Sequence, residues 1–203
     1  MAAPPNDEEL LRLMLGGDAG AFEALYDRRQ GGIYRYALRM TGSQSFAEDV
    51  TQEVFLSLIR DRSDYQPSRG SVKSYLYGMA RYRLLKRLQR ERSFVSLDTS
   101  DDGEGATGDD LRSEYDPFHE LAQEEVVRLV RQAVLSLPEY FREVIVLCYL
   151  QEMSYADAAE IISCPIGTVR SRLARGRELL VGKLRILQTA GVVETRIKIE
   201  SAI

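Results

Sequence analysis

The sequence predicts an all-α protein of two small helical domains joined by a flexible acidic linker, the C-terminal domain carrying a helix-turn-helix. Three observations predict it. Apolar residues recur at three- and four-residue spacings through most of the chain, the signature of amphipathic helices. That pattern stops at Ser93–Asp116, where Asp98, Asp101, Asp102, Glu104, Asp109, Asp110, Glu114 and Asp116 face only Arg112 and little remains to bury after Leu97. Finally, two helical patterns meet at Ser163-Cys164-Pro165, too short a break for anything but a tight turn. The expected boundaries are 1–92, a linker at 93–116, 117–187, and a tail at 188–203.

In the first domain, Asp7–Leu15 reads as a short amphipathic helix ended by Gly16-Gly17, and Asp18 caps the next. Phe22, Leu25, Tyr26, Ile33, Tyr34, Ala37, Leu38 and Met40 keep helical spacing, with an irregularity expected at Gly31-Gly32. After the turn Thr41-Gly42-Ser43, Phe46–Ile59 puts Ala47, Val50, Val54 and Leu58 on one face, with Phe55 and Ile59 beside it. Glu48, Asp49, Gln52 and Glu53 line its outer side. Arg60–Gly70 is polar and broken by Pro67 and Gly70.

Ser71–Arg92 is then helical and strongly basic. Lys73, Arg81, Arg83, Lys86, Arg87, Arg90 and Arg92 are opposed only by Glu91. Cations interleaved with tyrosines suit a phosphate backbone with exposed bases. The other reading makes Tyr75, Tyr77 and Tyr82 core residues and the arginines a solvated face; helical spacing alone does not separate the two.

In the second domain, Pro117–Leu135 is a helix with His119 at its surface. Leu137-Pro138-Glu139 opens an apolar helix carrying Phe141, Val144, Ile145, Leu147, Cys148 and Leu150, the expected floor under the helix-turn-helix. Ser154 caps a helix to Ile162, with Asp157 as the acidic partner of a capping box. Pro165 suits the first position of the next helix. Ile166, Val169 and Leu173 share its buried stripe, while Arg170, Ser171, Arg172, Ala174, Arg175 and Arg177 fall off it. No acidic residue occurs between Cys164 and Arg177, so this helix has the shape and charge for a major groove. An ordinary helical hairpin with a solvated basic face is the plainer reading; Ala158, Ala159 and Gly167, small residues expected at the crossing, favour the tighter motif. At the end, Val193, Thr195, Ile197 and Ile199 alternate with charged residues, a frayed tail or an edge strand.

The chain has 203 residues, 44% hydrophobic and 29% charged, with net charge −4. The acidic sum opposes nucleic-acid binding only on average, because the charges are segregated. Cys148, Cys164 and His119 are too few for a disulfide scaffold or a zinc site. A phosphate-cradling glycine loop, an HExxH pair and a nucleophile–base set are all missing. No cofactor, metal, small-molecule substrate or enzymatic activity is therefore expected. Without a leader-like N-terminus or a long apolar run, membrane insertion is not expected and cytoplasmic residence is.

Two separate stretches resemble one family. FEALYDRRQGGIYRYALRMTGS, AEDVTQEVFLSLIR and RGSVKSYLYGMARYRLLKRLQR resemble the domain of extracytoplasmic-function sigma factors that grips core RNA polymerase and opens promoter DNA. LPEYFREVIVLCYLQEMSYADAAEIISCPIGTVRSRLARGRELL resembles the domain that reads the upstream (minus-thirty-five) element. The resemblance spans Glu9–Leu187 and implies a subunit directing promoter-specific transcription initiation, with core polymerase, promoter DNA and an anti-sigma factor as partners.

By position, the resemblance implies that Asp49, Gln52, Glu53 and Phe55 dock on a helical coiled coil of the polymerase's largest subunit. It implies that Tyr65, Arg69, Ser71, Lys73, Tyr75, Arg81, Arg83 and Lys86 hold the displaced minus-ten strand. For the upstream element it implies Thr168, Arg170, Ser171, Arg172, Ala174 and Arg175, with a sequence of the GGAAC kind as target. Two departures stand out: Tyr75 replaces the family's common Trp, and Tyr82 stands where many members have Asn. The acidic linker would thread toward the RNA exit path. The competing reading is a conventional helix-turn-helix regulator that binds an operator as a dimer; it would bind duplex DNA unaided and offer a ligand pocket in its first domain.

Overall fold

The structure, a computed structural model, describes residues 4–60, 65–95 and 117–187, except for the side chains of 69, 90–95, 117–124 and 187. The expected acidic linker beyond Val95, the tail from 188 and the His119 side chain lie outside the described residues. Among the described residues every regular element is helical.

Helix α1 (Asp7–Leu15) is capped by Asn6, whose side chain accepts the Glu9 N–H at 2.8 Å. Helix α2 (Ala19–Thr41) is capped by Asp18 and closes on Gly42, whose left-handed backbone (φ +76°) lets its N–H reach the Leu38 carbonyl at 2.7 Å. The expected irregularity at Gly31-Gly32 does not occur, and α2 runs through unbroken. Gly32 answers to packing instead: a β-carbon there would lie 2.7 Å from the Tyr77 hydroxyl oxygen. The glycine is what lets the first basic turns of another helix approach α2.

Helix α3 (Gln44–Arg60) begins two residues before the expected start. A 3-10 turn (Pro67–Arg69) and Gly70 lead into α4 (Val72–Val95). Ser71 caps α4 by accepting the Ser74 N–H at 3.1 Å. The tyrosine alternatives divide. Tyr77 is 3% exposed and core, Tyr75 is half-buried, and Tyr82 is 64% exposed.

In the second half, α5 (Pro117–Leu135) precedes α6 (Glu139–Ile145), which passes into a π-helical turn (Val146–Leu150). Val144, Ile145, Val146 and Leu147 are buried there, the expected floor. Helix α7 (Tyr155–Ile162) is capped by Ser154, which accepts the Asp157 N–H at 3.1 Å and gives its own hydroxyl proton to the Asp157 carboxylate at 2.7 Å. Ser163 takes a left-handed conformation (φ +58°), and the Ser163 and Cys164 N–H groups close the turn on Glu160 and Ala159. Pro165 stands one residue earlier than expected, before α8 (Ile166–Leu187), and its carbonyl receives the Thr168 N–H at 2.8 Å.

The small residues at the crossing need a correction. Ala158 is fully buried, but Gly167 has open space around it. The glycine that permits close approach is Gly176, where a β-carbon would come 3.2 Å from Ile145. It follows Val169 and Leu173 on the same stripe, so α8 lies tightly on α6.

The two halves also pack on each other, which hydrophobic periodicity does not foretell. Helix α4 lies against α7, and α2 against α5, α6 and the π turn. The buried core is continuous across the junction. Polar groups cross it in both directions. Glu143 of α6 accepts from Tyr36 of α2 at 3.2 Å and from Arg81 of α4 at 2.7 Å. Tyr77 donates to Gln151 at 3.0 Å, Arg39 to the Leu150 carbonyl at 2.5 Å, and Arg142 to the Met40 carbonyl at 2.5 Å.

Candidate nucleic-acid and protein interfaces

The recognition-type helix α8 buries Val169, Leu173 and Gly176 and turns its other side outward. Arg170, Ser171, Ala174 and Arg175 are exposed, and Thr168 and Arg172 are half-buried. All six lie within the first three turns, and Thr168 sits in the first, where the helix dipole adds to the attraction for phosphate. The Ser171 hydroxyl rests on the Thr168 carbonyl at 3.1 Å. Arg175 pairs with Glu178 at 2.7 Å, but both side chains are about two-thirds exposed. Such a pair contributes at most about 1 kcal/mol and yields easily to a DNA contact. Among the described residues, Arg170 and Arg172 make no ion pair.

The α4 face is more constrained than its sequence suggests. Arg83 pairs with Glu53 at 3.0 Å and also reaches Ser57, Arg87 pairs with Asp49 at 2.7 Å, and Arg81 pairs with Glu143. Lys86 lies 5.8 Å from the centre of the Tyr82 ring and is exposed. Thus Asp49, Glu53, Tyr82, Arg83, Lys86 and Arg87 line one cleft between α3 and α4. The expected polymerase contacts and strand contacts are neighbours, and part of each set is neutralised by the other.

The loop before α4 brings Tyr65 and Tyr75 together, their ring centres 5.5 Å apart. The Tyr65 hydroxyl donates to the Gly70 carbonyl at 3.0 Å, and burial pushes its acidity down, raising the pKa. Ser71 serves as the α4 cap. Lys73 lies with Ser71, Arg28 and Arg29 around a shallow hollow beside Asp7, a buried carboxylate paired with both arginines. The Arg69 side chain lies outside the described residues.

On α3, Asp49, Gln52 and Glu53 are exposed as expected. Phe55 is not: it is 2% exposed, and its ring meets Tyr26 edge-on at 4.7 Å and Phe22 at 6.3 Å. Its place on the inner stripe makes it a packing residue, which corrects its assignment to a docking surface. Sequence reading missed Leu56 and Ile59, 45% and 48% exposed. Leu56 follows Gln52 by one helical turn, so an apolar residue on the polar face was the available signal.

Residues 25–94 match the family Sigma-70 region 2, and residues 128–180 match Sigma-70, region 4. The ECF RNA polymerase sigma factor SigW of Bacillus subtilis is 33% identical over 84% of this chain and 92% of its own length. The chain belongs to the ECF sigma factor family. The ECF RNA polymerase sigma-E factor of Haemophilus influenzae is 32% identical over 92% of this chain and all of its own. Two solved structures share the fold: the RpoE chain of a complex with the anti-sigma factor NepR from Bartonella quintana (TM-score 0.66, 22% identity, 81% of this chain and 97% of that one), and CnrH in complex with the cytosolic domain of CnrY (TM-score 0.62, 22% identity, 91% and 97%).

In this sigma factor, α2–α4 therefore correspond to the region 2 match, and α6, α7 and most of α8 to the region 4 match. Region 4 contains the helix-turn-helix with the exposed arginines Arg170 and Arg175. Among the described residues no helix is long and apolar enough to cross a membrane, and no cluster of His, Cys, Asp and Glu is suited to a metal ion.

Proposed function

We propose that residues 1–92 bind core RNA polymerase and hold the opened minus-ten strand, and that 117–187 read the upstream element from the major groove, with 93–116 as the connector. The chain supplies addressing and strand capture, and the polymerase supplies the chemistry. The observation that carries this reading is that one family member presents both a solvent-facing basic recognition helix and a separate α3 face. On that face the exposed apolar pair Leu56 and Ile59 adjoins Gln52, Asp49 and Glu53. Apolar anchors rimmed by charge suit a protein partner rather than DNA.

Arg170 and Arg175 are the proposed guanine or phosphate contacts, with Ser171 at a base edge and Thr168 at a phosphate. Tyr65 and Tyr75, already stacked at an angle beside the α4 start, are the proposed support for an unstacked base. An anti-sigma protein is the proposed inhibitor, by analogy with the complex of the similarly folded RpoE.

The test is pull-down of bacterial core polymerase by the purified chain. Wild-type protein is expected to bind. Leu56→Asp, which touches no core contact, is expected to weaken binding at least tenfold without changing thermal stability. Failure of the wild-type chain to bind core, together with unaided binding of duplex DNA as a dimer, would favour the conventional-regulator reading.

A further inference from the structure

A cluster of cations gathers where α1, α2 and the start of α4 meet. Asp7 is 6% exposed and pairs with two arginines of α2, Arg28 at 2.9 Å and Arg29. Lys73, in the first turn of α4, joins them around a hollow of about 330 Å³ that no residue of α5–α8 lines. A buried carboxylate needs a partner, and one arginine would suffice to tie α1 to α2. Two arginines and a lysine leave positive charge in excess. Glu8, the other acid on the rim, is exposed and already accepts the Val72 N–H at 3.4 Å.

The donor count shows what the excess can hold. Arg28 spends its Nη1 protons on Asp7 at 2.9 Å and on the Pro5 carbonyl at 3.0 Å. Its Nε and Nη2, the side-on edge of the guanidinium, have no partner among the described residues, and Lys73 makes no ion pair among them. That edge matches two oxygens of one phosphate, and the lysine adds a point charge. Because Asp7 fixes both arginines beforehand, little side-chain freedom remains to be lost on binding. The hollow also adjoins the tyrosine pair. The Tyr65 hydroxyl bonds the Gly70 carbonyl, and Ser71, the next residue, caps α4 and lines the hollow. Aromatic rings and cations thus share the start of one helix, the combination that single-strand grooves use.

We infer that Arg28, with Arg29 and Lys73, binds a backbone phosphate of the opened strand beside the base held by Tyr65 and Tyr75, and that Asp7 positions the two arginines. The inference rests on the strand-holding role proposed for residues 1–92. It carries the path of the strand off α4 and onto α2.

The experiment is fluorescence anisotropy of the holoenzyme with a labelled single strand spanning the minus-ten region of a promoter it transcribes, over a range of salt. Copies of that strand with one linkage at a time replaced by uncharged methylphosphonate locate the phosphate. Wild type is expected to lose about tenfold in affinity at one linkage beside the captured base, the scale of one charge-assisted contact. Arg28→Ala is expected to lose about tenfold on the natural strand and to become indifferent to that linkage alone. Its slope of log affinity against log salt is expected to fall by about 0.7, one phosphate contact on a single strand. Arg28→Lys keeps the charge and loses the fork, so its slope should stay at the wild-type value while affinity falls severalfold. In both variants Arg29 remains on Asp7. Core binding and thermal unfolding, measured alongside, report any folding defect, and the linkage effect is a ratio within each variant that such a defect does not move. A wild type that feels no linkage overturns the inference, as does an Arg28→Ala holoenzyme with an unchanged slope or an unchanged linkage effect. A chain that never forms holoenzyme sinks the proposed function and this inference with it. A holoenzyme that binds the strand but is indifferent to Arg28 sinks the phosphate site alone.

Discussion

Substituting Gly32 by alanine tests how the helices were brought together. In mid-helix, glycine to alanine gains about 1 kcal/mol from backbone entropy and solvation. Here the new β-carbon would sit 2.7 Å from the Tyr77 hydroxyl oxygen. That side chain is wedged against Tyr36, ring centres 5.4 Å apart, and its hydroxyl is fixed to Gln151 at 3.0 Å. Moving it forfeits a hydrogen bond and overpacks the junction, about 1–3 kcal/mol. Gly32→Ala should therefore destabilise the wild type by about 0–2 kcal/mol. In a Tyr77→Phe background the nearest ring carbon is 3.7 Å away, an ordinary contact. There the same alanine should stabilise by about 1 kcal/mol. Urea unfolding of the four proteins gives a coupling of about 1–3 kcal/mol. Equal effects of Gly32→Ala in both backgrounds, within about 0.5 kcal/mol, would refute the claim that the Tyr77 hydroxyl dictates glycine at this position.

Other outcomes rest on the same contacts. Arg170→Ala should cut affinity for a G-bearing upstream element by about 1–3 kcal/mol and relax discrimination at one position, measured by holoenzyme binding to promoter variants. Phe55→Ala should destabilise the fold by about 3–5 kcal/mol in urea unfolding, in contrast to the exposed Leu56. Burial, against the opposing pull of Arg35, Arg29 and Arg39, pushes Tyr77 up to about 12 from an ordinary value of 10, and Tyr36, wholly buried and beside Glu143, is raised well above that ordinary value. The native state thus keeps phenol protons that the unfolded chain loses from about pH 10 upward, so stability should fall as pH rises through 10 to 12. Tyrosinate absorbance should show a late-titrating fraction among the 11 tyrosines, reduced in Tyr77→Phe.

Most of the helical architecture was legible because local signals agreed. Asp18, Ser154 and the apolar stripes of α3 and α8 marked their helices, and the structure places each there. Gly31-Gly32 misled because a glycine's local cost says nothing of a hydroxyl arriving from a distant helix. Gly167 was expected at the crossing and Gly176 was overlooked for the same reason: periodicity gives the buried stripe but not the point of nearest approach. On α4 the basic composition was visible, but not that Asp49, Glu53 and Glu143 would claim three of its arginines. Charge pairing across tertiary contacts leaves no spacing in the sequence. Phe55 lay beside the inner stripe and read as a face residue; one step of helical rotation buried it. The docking of the two halves rests on single residues such as Glu143 and Gln151, which look like ordinary polar positions on an apolar helix.

The most direct measurement is reconstituted run-off transcription with bacterial core polymerase on a library of promoters. The account predicts a discrete transcript that needs the purified chain, depends on a GGAAC-like upstream element, and is lost with Arg170→Ala. Transcription unchanged by adding the chain, across promoters and with any inhibitor absent, would contradict it.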